Sequence, residues 1–140
     1  MLYREEEIFK LMPQRDPIVM VDKVHAAEGD TIRTGLTVKP SNYFMEEDGR
    51  MAEPGLIEHI AQSANALLGH KALLAGNPLP QGFIAEVKKF HCYARPALGD
   101  ELTTTVTFND EINGITLMTG ETWCGDVRIA DTQMKLYAES

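Results

Sequence analysis

The sequence predicts an α+β domain in which an antiparallel sheet curves around one long helix. Three observations predict it. Residues 54–70 carry Leu56, Ile57, Ile60, Ala61, Ala64, Leu67 and Leu68, leaving almost no face of a helix without an apolar side chain. Such a helix is buried rather than laid on a surface. Downstream, residues 101–109 set Leu102, Thr104, Val106 and Phe108 against Thr103, Thr105 and Thr107, the strict period of two that marks a strand. Short turn clusters join the remaining segments, which suits antiparallel neighbours better than long crossovers.

The elements follow in order. Residues 5–12 read as a short amphipathic helix, with Glu5, Glu6 and Glu7 in the first turn where the helix dipole favours acids. Pro13 ends it. Residues 14–17 form a turn, with Pro17 pushing Asp16 into an extended conformation. Residues 18–24 are rich in β-branched side chains and read as a strand. Glu28-Gly29-Asp30 turns the chain into a second strand over 31–38, and the pair makes a hairpin. His25 begins that turn region and is read as exposed. Residues 39–53 are irregular, and a loop of this length in a small domain is functional or mobile. In the central helix, Pro54 sits at a first-turn position where its missing N–H costs nothing. The helix stops near Gly76-Asn77-Pro78. Strands are expected over 82–94, 101–109, 115–124 and 127–138, the last closing the sheet. Turns fall at 95–100, 110–114 and 125–126.

One buried helix wrapped by a strongly curved antiparallel sheet is the hotdog architecture, a layered α+β solution. A chain of 140 residues is one such domain, residues 1–140. A single sheet of this kind leaves an edge strand uncovered. Hotdog domains pair edge strands into a dimer with one continuous sheet, so a dimer at least is expected.

Composition narrows the function classes. With 44% hydrophobic and 24% charged residues the chain is globular rather than disordered. A net charge of −8 argues against nucleic acid or an anionic membrane surface as the main partner. No apolar run approaches the ~20 residues of a membrane span. The charged N-terminus lacks the apolar centre of a signal peptide, and a cytoplasmic location is expected. Cys92 and Cys124 have no metal-type spacing and read as free thiols. No cofactor is implied, and no metal, since no His/Cys/Asp cluster has ligand spacing.

The chemistry is expected inside the helix. Glu58, Gln62 and Asn65 stand at i, i+4, i+7 and share one side; His59 and Ser63 form a second short line beside it. An ionised carboxylate removed from water costs several kcal/mol unless it is paired or hydrogen-bonded. Glu58 at a helix start, favoured by the dipole and partly solvated, is the structural reading. The functional reading is a carboxyl group in a mostly apolar tunnel, its pKa raised toward the range of acid–base work.

Three segments resemble a known family. Leu11-Met12-Pro13-Gln14-Arg15-Asp16-Pro17-Ile18-Val19-Met20-Val21-Asp22-Lys23-Val24 is similar to the opening of the 3-hydroxyacyl-acyl-carrier-protein dehydratases, Leu-Pro-His-Arg-x-Pro-(apolar)-Val-Asp-Arg-Val. The segment 57–62 resembles their central helix, where an acid precedes Ala-Gln by two residues. The segment 90–100 resembles their Phe-x-Arg-Pro-x-x-Pro-Gly-Asp turn. Within the superfamily the pattern is nearer to the divergent dehydratase-like proteins of aryl-polyene and flexirubin-type pathways.

The resemblance implies a narrow acyl tunnel ending at a dimer interface, with the helix acid facing a histidine of the other subunit. The histidine removes the proton next to the thioester carbonyl, and the acid handles departure of the 3-hydroxyl as water. Glu58 matches the acid and Gln62 the glutamine that supports it. The helix start around Gly55 is placed to offer a backbone donor to the carbonyl. The implied partners are an acyl-carrier-protein or coenzyme A thioester and a second hotdog subunit, identical or different.

The chain departs from the pattern in two places. Where the family has Gly-His-Phe-Pro, this chain has Ser41-Asn42-Tyr43-Phe44-Met45, so Tyr43 stands where the base histidine belongs. Anchoring on Glu58 also places Ala52-Glu53, not Pro54-Gly55, at the family's Pro-Gly. Tyr43 can donate a hydrogen bond to substrate, but a phenol of pKa about 10 is a poor base at neutral pH. His59 is rotated about 100° from Glu58 on the helix and faces another wall, where a core histidine is the alternative. Nothing in the sequence ties His70 or His91 to Glu58. Lys88, Lys89 and Arg95 could attract a phosphopantetheine arm or an acidic carrier, with a solvated strand edge as the alternative. Tyr93 and Trp123 could line a tunnel or serve as core or interface aromatics.

The sequence therefore assigns Glu58 and Tyr43 as catalytic, with Tyr43 contributed by the second subunit. Gln62, Asn65, Gly55, Asn42 and His59 make up the substrate-binding set. The expected activity is a 3-hydroxyacyl thioester dehydratase in fatty acid or polyene synthesis. A hotdog thioesterase, whose helix carboxylate needs no histidine, is the second enzyme reading. A non-catalytic acyl-binding subunit of a dehydratase heterodimer is the third.

Overall fold

The computed structural model describes residues 2–12, 14 and 18–139. Element order is β1 (Tyr3–Arg4), a 3₁₀ helix (Glu5–Lys10), β2 (Lys23–Glu28), β3 (Thr31–Thr37), α1 (Glu53–Ala75), β4 (Gln81–Cys92), β5 (Glu101–Ile112), β6 (Ile115–Cys124) and β7 (Val127–Glu139). Every strand joins one antiparallel sheet in the order β1-β2-β3-β5-β6-β7-β4. Helix α1 lies in its concave face, the hotdog arrangement expected from the sequence. β4, which leaves the helix, crosses to the far edge and pairs with β7. β7 is therefore an inner strand, and β4 rather than β7 closes the sheet.

Helix α1 is buried along most of its length, from Gly55 to His70, as its apolar circumference demands. It ends where Gly76 takes a left-handed φ of 72° and the last carbonyls accept the N–H groups of Gly76 and Asn77. The threonine-rich alternation of β5 places Leu102, Thr104 and Val106 against the helix. β5 runs on to Ile112 rather than stopping at 109, because the turn is the two-residue Asn113-Gly114 with positive φ at both positions. A bulge between Phe108 and Asp110 absorbs the extra residue.

Three further expectations fail. Residues 18–22 do not pair as a strand; the ladder begins at Lys23. Their backbone is hydrogen-bonded by side chains of α1, described below, while Met20 and Val21 are buried as core residues. The 5–12 helix is a shorter 3₁₀ helix that inserts Ile8, followed by Leu11 and Met12, into the core. His25 lies at a bulge within β2, half-buried rather than in an exposed turn. The expected stop at Pro13 and turn through Arg15, Asp16 and Pro17 lie outside the described residues.

The core is split. One apolar cluster gathers Ile32, Ile60, Leu67, Val106, Met118, Met134 and Leu136; the other gathers Met20, Leu36, Met51, Leu56, Leu102 and Ile129. Between them runs a row of fully buried threonines, Thr34, Thr104 and Thr122, paired directly across β3, β5 and β6. Its hydroxyls meet polar groups of α1.

Candidate active site

Glu58 stands half-buried in the second turn of α1. Gln62, one turn on and fully buried, donates from Nε2 to Glu58 Oε1 at 2.8 Å and to the Ile18 carbonyl at 2.6 Å. Its Oε1 accepts the Met20 N–H at 2.6 Å. Because a backbone N–H only donates, that contact fixes which end of the amide faces Glu58. The i, i+4 spacing read in the sequence thus becomes a direct carboxylate–amide pair.

Asn65 completes the line, buried and turned toward β4. Its Nδ2 approaches the Gly82 carbonyl at 3.4 Å, and its Oδ1 is buried without a hydrogen-bond partner among the described residues. A methyl group on Gly82 would collide with that oxygen, so strand and helix approach this closely because position 82 has no side chain.

His59 belongs to the core. It is fully buried, with Nδ1 2.6 Å from the Met20 carbonyl and Nε2 2.7 Å from Thr104 Oγ1. A carbonyl only accepts, so Nδ1 carries the proton and Nε2 accepts from Thr104. Thr104 Oγ1 in turn accepts from Thr122 at 2.7 Å. Burial holds the His59 pKa below its ordinary value, outweighing the Met20 carbonyl and the Asp22 carboxylate, which favour the proton. Both of its ring nitrogens are engaged by the protein itself. Ser63 donates to the His59 carbonyl and accepts from Thr34, completing the polar layer.

Gly55 and Asn42 are engaged by the loop that precedes the helix. The Gly55 N–H donates to the Ala52 carbonyl at 2.9 Å, so it is not a vacant donor for a thioester. Asn42 Oδ1 accepts the Phe44 N–H at 2.9 Å in an Asx turn, and its Nδ2 points at Met20 Sδ. Asn42 shapes the loop.

That loop, residues 38–52, carries Tyr43, which is 60% exposed with its ring edge-on to Phe44 at 5.2 Å. Its hydroxyl makes no hydrogen bond among the described residues. The loop is tied down instead of mobile. Arg95 pairs with Glu46 at 2.6 Å and with Asp48, Arg50 reaches the Arg95 carbonyl, and Met51 and Leu98 exchange backbone bonds across to Pro96 and Gly49. Arg95 is thus engaged by acids of its own chain, and Lys88 faces Glu86. His70 bonds Tyr3, and His91 bonds Asp131 on the exposed face, where Tyr93 also lies. None of the four histidines makes a hydrogen bond to Glu58. Cys92 and Cys124 are free thiols, half-buried, and burial raises both pKa values.

Sequence reasoning missed the Met20 peptide and the threonine row. The signal for the row was present: Thr104 occupies the apolar phase of an otherwise alternating strand.

A carboxylate–amide pair on a helix cradled by seven antiparallel strands defines a hotdog-fold protein. The same fold appears in the dehydratase heterocomplex ApeI:P from Xenorhabdus doucetiae, with a TM-score of 0.89 at 16% identity over 95% of this chain and 91% of that chain. A hypothetical thioesterase from Streptococcus pneumoniae TIGR4, solved with coenzyme A, has a TM-score of 0.68 at 10% identity over 84% and 85% of the two chains. The chain belongs to the ApeP-like family, whose model, described as ApeP dehydratase, matches residues 6–140. The 3-hydroxyacyl-[acyl-carrier-protein] dehydratase FabZ of Rhizobium etli is 37% identical over 76 residues, 51% of this chain. The chain spans about half the length of these curated relatives, 49% of that protein. Among the described residues no helix is long and apolar enough to cross a membrane.

Proposed function

We propose that this chain is the acid-bearing subunit of a hotdog dehydratase dimer acting on 3-hydroxyacyl thioesters carried by acyl carrier protein or coenzyme A. The observation that carries the reading is the Glu58–Gln62 pair in a chain whose own loop has Tyr43 at the position of the family histidine. Glu58 gives its proton to the departing 3-hydroxyl, and the C–O bond breaks as the Cα=Cβ bond forms. The α-proton goes to a base of the second subunit. Gln62 keeps the carboxyl group aimed. In a homodimer, Tyr43 of the second copy can donate to the thioester carbonyl but no histidine there takes the α-proton, so that assembly does not complete the dehydration. In a heterodimer, a partner bearing a histidine at that loop position supplies the base, and Tyr43 lies at the half-site without one. Family membership and likeness to a dehydratase heterocomplex support this reading. So does β4, an unpaired edge that leaves Phe83 and Val87 exposed for a second sheet to cover.

The test incubates a 3-hydroxyacyl carrier-protein thioester with the chain alone and with a histidine-bearing hotdog partner, read by mass spectrometry. Loss of water that vanishes with Glu58→Gln is expected. In the heterodimer Tyr43→Phe should leave the rate unchanged, whereas Tyr43→His should confer activity on the chain alone. Full activity of Glu58→Gln in the complex would overturn the reading, and release of free acid by the chain alone would replace it with a thioesterase.

A further inference from the structure

Met20 is held by α1 through both peptide units that flank it, 19–20 by its N–H and 20–21 by its carbonyl. Its N–H is held by Gln62 Oε1 and its carbonyl by His59 Nδ1, both at 2.6 Å. The Met20 N–H holds the oxygen end of the Gln62 amide, while Nε2 bonds the Ile18 carbonyl and Glu58. With Met20 turned away, Oε1 loses its buried donor and only the two bonds from Nε2 remain to hold the amide on the carboxylate. The carbonyl side of Met20 is held by His59, itself held by the Thr104–Thr122 hydroxyl chain.

We propose that His59 is a positioning residue for Glu58: it anchors the backbone of Met20 by its carbonyl, and the Met20 N–H in turn steadies the Gln62 amide on the carboxylate. The proposal rests on Glu58 being the acid of the site. The residue that follows the acid on the helix, facing away from it, thereby controls its aim across a strand-like segment contributed by residues 18–22. Loss of the clamp lowers kcat and leaves KM nearly unchanged, because the aimed carboxyl group acts in the transition state.

The experiment is nuclear magnetic resonance on the ¹⁵N-labelled full chain, with wild type, His59→Leu and His59→Asn. In wild type the His59 ring is the neutral Nδ1–H tautomer, and the Gln62 side-chain amide is protected from exchange. In His59→Leu the protection falls at least tenfold. In His59→Asn, whose amide can donate to the Met20 carbonyl, it persists. A merely structural role would lower the folded fraction yet leave the Gln62 amide of folded molecules as in wild type. Should His59→Leu not fold, Thr104→Val, which releases Nε2, reports in the same direction with a several-fold loss of protection. An Nε2–H tautomer in wild type, or an unchanged Gln62 amide in whichever of these variants folds, overturns the proposal. Activity of Glu58→Gln in the assay above would sink the dehydratase reading instead, and the amide measurements still decide the clamp.

Discussion

Replacing Gln62 by leucine isolates one buried donor. Gln62 serves three groups, but they are not equally exposed once it is gone. The Ile18 carbonyl belongs to a residue 39% exposed and Glu58 is half-buried, so water can reach both. The Met20 N–H cannot be served that way, because Met20 is fully buried and Gln62 is the acceptor it uses. An orphaned buried N–H costs about 1–3 kcal/mol, and leucine fills nearly the same volume, so no large cavity adds to it. The expected loss is about 2 kcal/mol, or a fall in Tm of roughly 6 °C for a chain of this length. Urea and thermal denaturation followed by circular dichroism measure it. A companion, Gln62→Glu, keeps an acceptor for Met20 but sets two carboxylates side by side. One must be protonated to restore the bond to Glu58. Its deficit relative to wild type should therefore shrink as pH falls from 8 to 5. A loss below about 0.5 kcal/mol for leucine, the scatter of surface substitutions, would refute the argument. So would a pH-independent deficit for glutamate.

Two further outcomes follow from the geometry. Folded His59 is held neutral with its pKa below the ordinary 6.5, so in the pH range below that value the unfolded chain binds more protons. Stability is full above pH about 6.5 and declines as pH falls toward the folded-state pKa, by up to about 1.4 kcal/mol per pH unit. Asp22 is the carboxylate acting on the ring, and His25, lowered mainly by burial and by Arg33 and Lys23, adds a smaller term of the same sign. Urea titrations from pH 5.5 to 7.5 should show this slope, and His59→Asn should flatten it; a flat wild-type profile would contradict it. Gly69→Ala ordinarily strengthens a helix by about 1 kcal/mol. Here a Cβ collides with the Leu11 backbone, so the variant should be less stable, and a raised Tm would show that the two segments are not packed as described.

How much was legible follows from which forces act locally. The long helix was readable because its apolar circumference and its Gly76 stop are properties of contiguous residues. Glu58 and Gln62 were readable because i, i+4 spacing dictates proximity, and they meet at 2.8 Å. Residues 18–22 were misread for a different reason. Their β-branched composition correctly signalled burial, but their backbone bonds side chains of a helix about 40 positions away, which no local propensity encodes. Asp110 and Glu111 were placed in the 110–114 turn, whereas the positive φ at Asn113 and Gly114 confines the turn to those two residues and lets the strands run on. Gly55 and Asn42 looked available because the loop bonds that occupy them form only in the folded chain.

The threonine row shows why a core of this kind carries polar groups at all. Replacing a buried hydrogen-bonded pair by apolar groups of the same shape is often neutral or stabilising, so the row adds little to stability as such. Its geometric effect is different in kind. Two apolar clusters alone would let α1 slide or rotate over the sheet with small change in buried area, since apolar contact is non-directional. Thr34 bonded to Ser63, and Thr104 bonded to His59, are satisfied at one axial and rotational setting only. At any other, His59 would be buried with an unmade bond, at a cost of about 1–3 kcal/mol. The setting they select also places Gln62 on the Met20 peptide and Glu58 on Gln62. Register and the aim of the carboxylate are thus one constraint, transmitted from the strands through His59. On this hypothesis, variants along the row disturb the Glu58–Gln62 pair before they unfold the chain.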